Sequence, residues 1–475
     1  MKSVYDMTTF KIQFMRTQLL TTIFVLLSVA LPGLAQKRTF ADAQKVAADF
    51  FQSKDNNAKV CALRVNSKCG RKLLKRAASA TQEATDAYYL FANEDNNRLL
   101  VVSGDERMQR ILGYTDHALV GNAIPDGLAD LLEGYAAQYA ALGAVPTTSA
   151  SNAPARSTLY KGERQLQTAA WGQWDPFNRM TPQAYPTGCA ATAMAIVMRY
   201  HQWPDVGYGS KTHIWTDSVM TAKFGETHYD WANMPMSYEK FNDTQATAVA
   251  LLMRHLGISV EMYYAAESSG ARQTLVPQAL AQYFRYGSTA RLLTASDYDA
   301  ATWDRMMRKE IDSNRPVIYT GESIQGRGAH GFVLDGYRDN LFHFNFGWNG
   351  SGNGYFAISA ITSTDRSFEF ANKQQAVIGI TPLKAENCAP LQLDCQGKYE
   401  GFYTTLTTLK AGEKQSVHLS DLSALTTWQG KMQWNLCHAD GSVVEALGTK
   451  QVQMNGGSTQ SLDFEFAAAN NAAKG

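Results

Sequence analysis

The sequence predicts an α+β protein of three successive modules behind a short leader, and three observations carry that prediction. Helical patterns fill the early part of the long central region, and strand patterns fill its end. That segregation argues against alternating βαβ units. A stretch at 143–158 dominated by Ala, Pro, Ser and Thr separates a small N-terminal module from the rest. Beyond about residue 384 the chain turns polar and strand-like. The 475 residues are 45% hydrophobic and 18% charged, so a large core can be buried. Net charge is +1, with 44 basic against 43 acidic residues. That balance offers no concentrated basic field for nucleic acid or a membrane surface.

The leader comes first. Lys2, Lys11 and Arg16 precede an apolar run from Leu19 to Leu31, which ends at Pro32-Gly33-Leu34-Ala35. This is the pattern of a secretory signal peptide spanning 1–35, and it predicts export with no membrane span after its removal. A membrane anchor is the alternative, but Pro32 and Gly33 interrupt the run. An exported chain can form disulfides. Of the six cysteines, Cys61/Cys69 and Cys388/Cys395 lie close enough in sequence to pair locally, though spacing leaves connectivity open. The spacings do not read as a zinc site, and no metal or other cofactor is expected.

Residues 36–156 form the first module. Phe40, Ala43, Val46, Ala47 and Phe50 recur at helical spacing after Thr39, a plausible N-cap. The runs 87–92 and 98–102 flank the turn-forming Asn93-Glu-Asp-Asn-Asn97, which predicts a hairpin. A helix follows around 127–142. The linker after it is the kind of exposed chain that proteases cut. In the second module, 157–383, strands are expected at 316–319, 332–334, 341–344, 355–358 and 375–380. The third, 384–475, reads as a small all-β module with strands near 402–409, 415–419 and 431–436.

The central module also carries the chemistry. Pro186-Thr-Gly-Cys189 leads into an Ala-rich helix, so Cys189 falls in a first helical turn. There the macrodipole and free N–H groups favour a thiolate. A small buried hydrophobe is the alternative reading of such a cysteine. Among nine histidines, His330 stands out. It is flanked by small residues in Gly328-Ala-His-Gly331, directly before a strand, where another chain can approach closely. His343 lies within a strand, where a packed or exposed role is commoner. His330 follows Cys189 by about 140 residues and Asn345 comes soon after, the Cys–His–Asn order of papain-like proteases. Such chemistry needs a thiolate nucleophile, an imidazolium to protonate the leaving amine, and a group to hold the ring. Asn345 is a candidate for the last role, or else a turn former beside Gly347. Trp348 could shield that contact from water. Gln173, shortly upstream of Cys189, is a candidate oxyanion donor.

Several motifs together resemble the streptopain family of bacterial cysteine peptidases, including its interpain-like members. They are Pro186-Thr-Gly-Cys-Ala-Ala-Thr-Ala, His228-Tyr-Asp-Trp-Ala-Asn-Met-Pro235, Gly328-Ala-His-Gly-Phe-Val-Leu-Asp-Gly-Tyr337 and Asn345-Phe-Gly-Trp-Asn-Gly350. Leu99-Leu-Val-Val-Ser-Gly-Asp-Glu-Arg-Met108 and Ile111-Leu-Gly-Tyr114 are similar to the family propeptide. The resemblance covers about 36–383. It implies a papain-like catalytic domain, protein substrates, and the chain's own propeptide as an intramolecular inhibitor. By the same resemblance Cys189 and His330 are the catalytic pair and Gln173 the oxyanion donor. Phe346 stands where the family pattern has a tryptophan, so the orienting role falls to Asn345 and Trp348. The segment 362–374 lacks the glycine richness of the corresponding streptopain loop.

Overall fold

The computed structural model describes residues 37–55, 58–65, 72–75, 87–94, 97–121, 123–144, 160–287, 289–324, 328–360, 373–384, 393–395, 402–403, 412–424, 427–437, 443–456 and 458–467. The leader, most of the linker, Cys69, Cys388 and the segment 362–372 lie outside them. Among the described residues Cys61, Cys189 and Cys437 carry free thiols.

Helix α1 spans Phe40–Gln52, and its start is set by a capping box. The Thr39 hydroxyl accepts the Asp42 N–H, while the Asp42 carboxylate accepts the Thr39 N–H. The helix buries Ala43, Ala47 and Phe51 against a sheet of β1 (Val60–Val65), β2 (Leu73–Lys75), β3 (Tyr88–Asn93), β4 (Arg98–Ser103) and β5 (Ile111–Thr115). β3 and β4 are the expected hairpin, and helix α2 (Asp126–Ala144) follows.

The central module adds β6 (Glu163–Gln165), helix α3 (Cys189–His201), and the hairpin of β7 (Lys211–Trp215) with β8 (Ser218–Ala222). Helices α4 (Asp243–Ser259) and α5 (Leu275–Tyr283), strand β9 (Arg291–Thr294) and helix α6 (Ala300–Asp312) come next. Then run β10 (Val317–Glu322), β11 (Ala329–Arg338), β12 (Leu341–Asn345), β13 (Gly354–Phe356) and β14 (Gln375–Ile378). Helix α3 is buried on every side from Ala190 to Met198, so it forms the centre of a second core with Val249, Leu252 and Met253 of α4.

The first two modules share one sheet. Twelve strands run in the order β2-β1-β3-β4-β5-β13-β12-β11-β10-β14-β9, with β6 paired to β11. The seam is β5 against β13, with Thr115, Tyr114 and Gly113 opposite Gly354, Tyr355 and Phe356. Two glycines make it possible. A Cβ on Gly113 would collide with the Phe356 ring, and one on Gly354 with the Tyr114 carbonyl. One continuous core follows, in which Phe91, Leu128 and Tyr135 join Phe332, Phe344 and Phe356. Full burial of each such ring contributes about 1.5–3 kcal/mol. Segregated patterning does not reveal this sharing, because each half of the sheet reads as a separate hydrophobic set.

The last module contains β15 (Leu393–Cys395), β16 (Phe402–Tyr403), β17 (Lys414–Ala424), β18 (Trp428–Cys437), β19 (Val443–Met454) and β20 (Thr459–Ala467), all antiparallel. Its own small core holds Leu419, Leu422, Val452 and Phe464. Of the expected 402–409 strand, 404–409 lie outside the described residues. Among the described residues no helix is long and apolar enough to cross a membrane.

Candidate active site

Cys189 begins α3 through an unusual entry. Gly188 is the N-cap at φ 85°, and a Cβ there would lie 2.6 Å from the Met262 sulfur and 3.0 Å from the Ser269 carbonyl. Only glycine tolerates both the angle and the crowding. Thr187 is buried behind it, and its hydroxyl bonds to the Thr192 hydroxyl at 2.8 Å. The Thr187 N–H donates to the Gln173 carbonyl at 3.1 Å, which ties the Gln173 segment to the cysteine loop. Gly172 permits close packing of that segment on Asn349.

His330 is the second residue of β11, supported by pairing with Gly321 on β10. Gly331 follows, and a Cβ on it would reach within 3.7 Å of the Cys189 backbone and 2.7 Å of Gln273. Gln173, Cys189, His330 and Trp348 line one cavity of about 1150 Å³, together with Asp126, Trp174 and Tyr263. Asn345 is not part of this lining. It is buried, its Nδ2 donates to the Thr168 hydroxyl at 3.0 Å and the Ala169 carbonyl at 2.9 Å, and its Oδ1 accepts the Gly347 N–H at 3.2 Å. It thus shapes the turn that carries Trp348 to the cavity.

The N-terminus of α2 reaches the same place. Gly127 lets the helix press onto the catalytic sheet, since a Cβ there would lie 2.5 Å from the Phe332 ring and 2.9 Å from that of Phe346. The approach brings Asp130 Oδ2 to 2.8 Å from His330 Nδ1 and Asp126 Oδ2 to 3.8 Å from Nε2. Asp130 is 1% exposed and the His330 side chain 18%. Burial pushes the Cys189 thiol pKa up, with Asp126 adding to the rise. Hydrogen bonds from the Gly331 and Ala190 N–H groups oppose it but do not prevail. In this state the sulfur is a thiol at neutral pH. Asp126 and Asp130 escape sequence reasoning, because a carboxylate on another module has no fixed spacing from the histidine it meets.

Residues 171–356 match the Peptidase C10 family, and residues 35–139 match a second family, the Spi protease inhibitor. Streptopain of Streptococcus pyogenes is 29% identical over 319 residues, covering 61% of this chain and 80% of its own. The chain belongs to the streptopain family of cysteine peptidases. The thiol protease/hemagglutinin PrtT of Porphyromonas gingivalis is 31% identical over 396 residues, 77% of this chain. The chain spans 44% of the length of PrtT. Among solved structures, a prointerpain A fragment of Prevotella intermedia superposes with a TM-score of 0.54 at 29% identity, covering 63% of this chain and 98% of that one. The streptopain-family region thus takes in both the inhibitor-like module and the papain-like one, and the α+β fold is that of a proenzyme.

Proposed function

We propose that this protein is a secreted cysteine endopeptidase made as a zymogen. The carrying observation is that Cys189, His330 and Gln173 line one cavity, while Asp126 and Asp130 of the N-terminal module hold the edges of the His330 ring. With those carboxylates gone, Nδ1 and Nε2 become available to the thiol. The imidazole takes the Cys189 proton, and the thiolate attacks the substrate carbonyl carbon. The oxyanion falls beside the Cys189 N–H, a donor of the first helical turn, and the Gln173 amide, each such donor contributing roughly 3–4 kcal/mol. The imidazolium protonates the leaving amine. The thioester is then hydrolysed by water with His330 as base.

On this reading 36–156 is the inhibitory propeptide, 157–383 the peptidase domain and 384–475 an accessory β module. Trp348 shields the His330 ring, and Asn345 acts by building the Trp348 turn. The test is cleavage of casein under reducing conditions by wild type and Cys189→Ala, with intact mass followed in parallel. Thiol-dependent cleavage with self-shortening by about 120 residues, near the linker, in wild type alone supports the proposal. No cleavage after the N-terminal module has been removed by another protease overturns it.

A further inference from the structure

A second cluster joins the two modules away from the cavity. His343 on β12 is 2% exposed, and its Nδ1 lies 2.5 Å from Asp335 Oδ1 on β11. The other ring nitrogen, Nε2, points across the seam. It lies 3.2 Å from Asp116 Oδ2, just beyond β5 of the N-terminal module, and Asp116 Oδ1 lies 2.7 Å from Nδ1 of the exposed His117. Gln165 Nε2 also lies 3.1 Å from His343 Nε2. One ligand atom from each of Asp116, His117 and His343 falls within 4.8 Å of the other two.

Three features make this a metal centre in outline. The donors are two imidazoles and a carboxylate, a set suited to zinc. Tetrahedral zinc with bonds of about 2.0–2.1 Å places neighbouring ligand atoms roughly 3.3 Å apart, close to the His343–Asp116 separation. The Asp335 carboxylate on Nδ1 is the outer partner that metal-binding histidines use to fix ring and tautomer. The charge fits as well. Asp116 and Asp335 place two carboxylates around one buried imidazole. Of the cations on the neighbouring elements, Arg338 pairs with Glu163, while Lys54 lies over the rings of Phe50 and Tyr114 and also faces the Asp116 charge, so the two carboxylates are only partly offset.

We propose that Asp116, His117 and His343 form a binding site for a zinc-like divalent cation that bridges the N-terminal module to the catalytic module, with a water in the fourth position. Binding expels the proton between His343 Nε2 and Asp116. Because two ligands come from one module and one from the other, the site exists only while they are docked. Sequence spacing carries no sign of it, since residues 116–117 and 343 belong to different modules.

The experiment uses the full-length Cys189→Ala chain, which removes the reactive thiol as a competing ligand. Zn²⁺ is titrated by calorimetry, Co²⁺ is followed by visible absorption, and thermal unfolding is recorded with and without Zn²⁺. The expected result is one equivalent bound, a tetrahedral Co²⁺ spectrum and a raised Tm. His117→Ala, a change at an exposed side chain, and Asp116→Asn should each weaken binding at least tenfold and abolish the Tm rise. Failure to bind, or binding and Tm rise that persist unchanged in both variants, overturns the site and leaves an ion-pair cluster.

Discussion

Two histidines of the catalytic module meet aspartates of the N-terminal module, and the two meetings differ in kind. At His330 the partners are Asp130 and Asp126, and the ring borders an open cavity. At His343 the ring is almost wholly buried and is held from its own side by Asp335 as well as from across the seam by Asp116. Burial alone would push the His343 pKa down, but the two carboxylates outweigh it and hold the imidazole at about 10. Burial would raise Asp116, yet hydrogen bonds from His117 and His343 hold it well below the usual carboxylate range. On the proposed mechanism the first contact stands where His330 must later act as base, so it has to be reversible. The second lies in packed core, where a charge is stable only in company. One reads as a latch and the other as an anchor.

Substitutions can break this distinction, beginning with the largest effect. Cys189→Ala should lower peptide cleavage by about 10⁴-fold or more while leaving both aspartate contacts intact, measured by casein turnover and intact mass. His343→Ala strands Asp335 and Asp116 opposite each other without their cation. It should cost about 3–5 kcal/mol in denaturant unfolding of the full chain. An unchanged midpoint would mean that the anchor contributes nothing. Gln173→Ala should reduce kcat by about 10²–10³ with KM little altered if, as proposed, the amide donates to the oxyanion and not to the bound substrate.

Asp130→Ala tests the latch. Loss of a charge-assisted bond worth about 1.5–3 kcal/mol should speed self-processing of the precursor roughly ten- to a hundredfold. The processed enzyme should show wild-type turnover, since Asp130 is no longer attached. The smallest effect is the reactivity of Cys189 toward iodoacetamide. Its pKa is raised, so the thiolate is scarce at neutral pH and the precursor's alkylation rate should climb about tenfold per pH unit through the ordinary thiol range. A flat profile between pH 7 and 9 would contradict a protonated sulfur.

Much of the scaffold was legible in the residues themselves. Thr39 announces α1, the turn formers at 93–97 announce the β3–β4 hairpin, and small residues around His330 mark a place of close approach. These signals are local. The order of Cys189, His330 and Asn345 pointed to the right chemistry class, but the side chain of Asn345 faces Thr168 and Ala169, a detail that no spacing encodes. What stayed hidden depends on docking. The β5–β13 pairing, Gly127 against Phe332, and the reach of Asp116, Asp126 and Asp130 across the boundary all depend on how two modules face each other. Nothing in either stretch of sequence alone specifies that.

The glycine-lined seam has a consequence for release. Cutting the linker severs one covalent connection, but the hydrogen bonds between Ile111–Thr115 and Gly354–Phe356 remain, as does the shared core beneath them. Cleavage and liberation are therefore separate events, and a nicked but still silent complex should accumulate between them. When the N-terminal strand finally peels away, Gly354–Phe356 becomes a bare sheet margin. At three residues it is too short to template much pairing with a stranger, which protects the freed enzyme from clumping at the moment it becomes active.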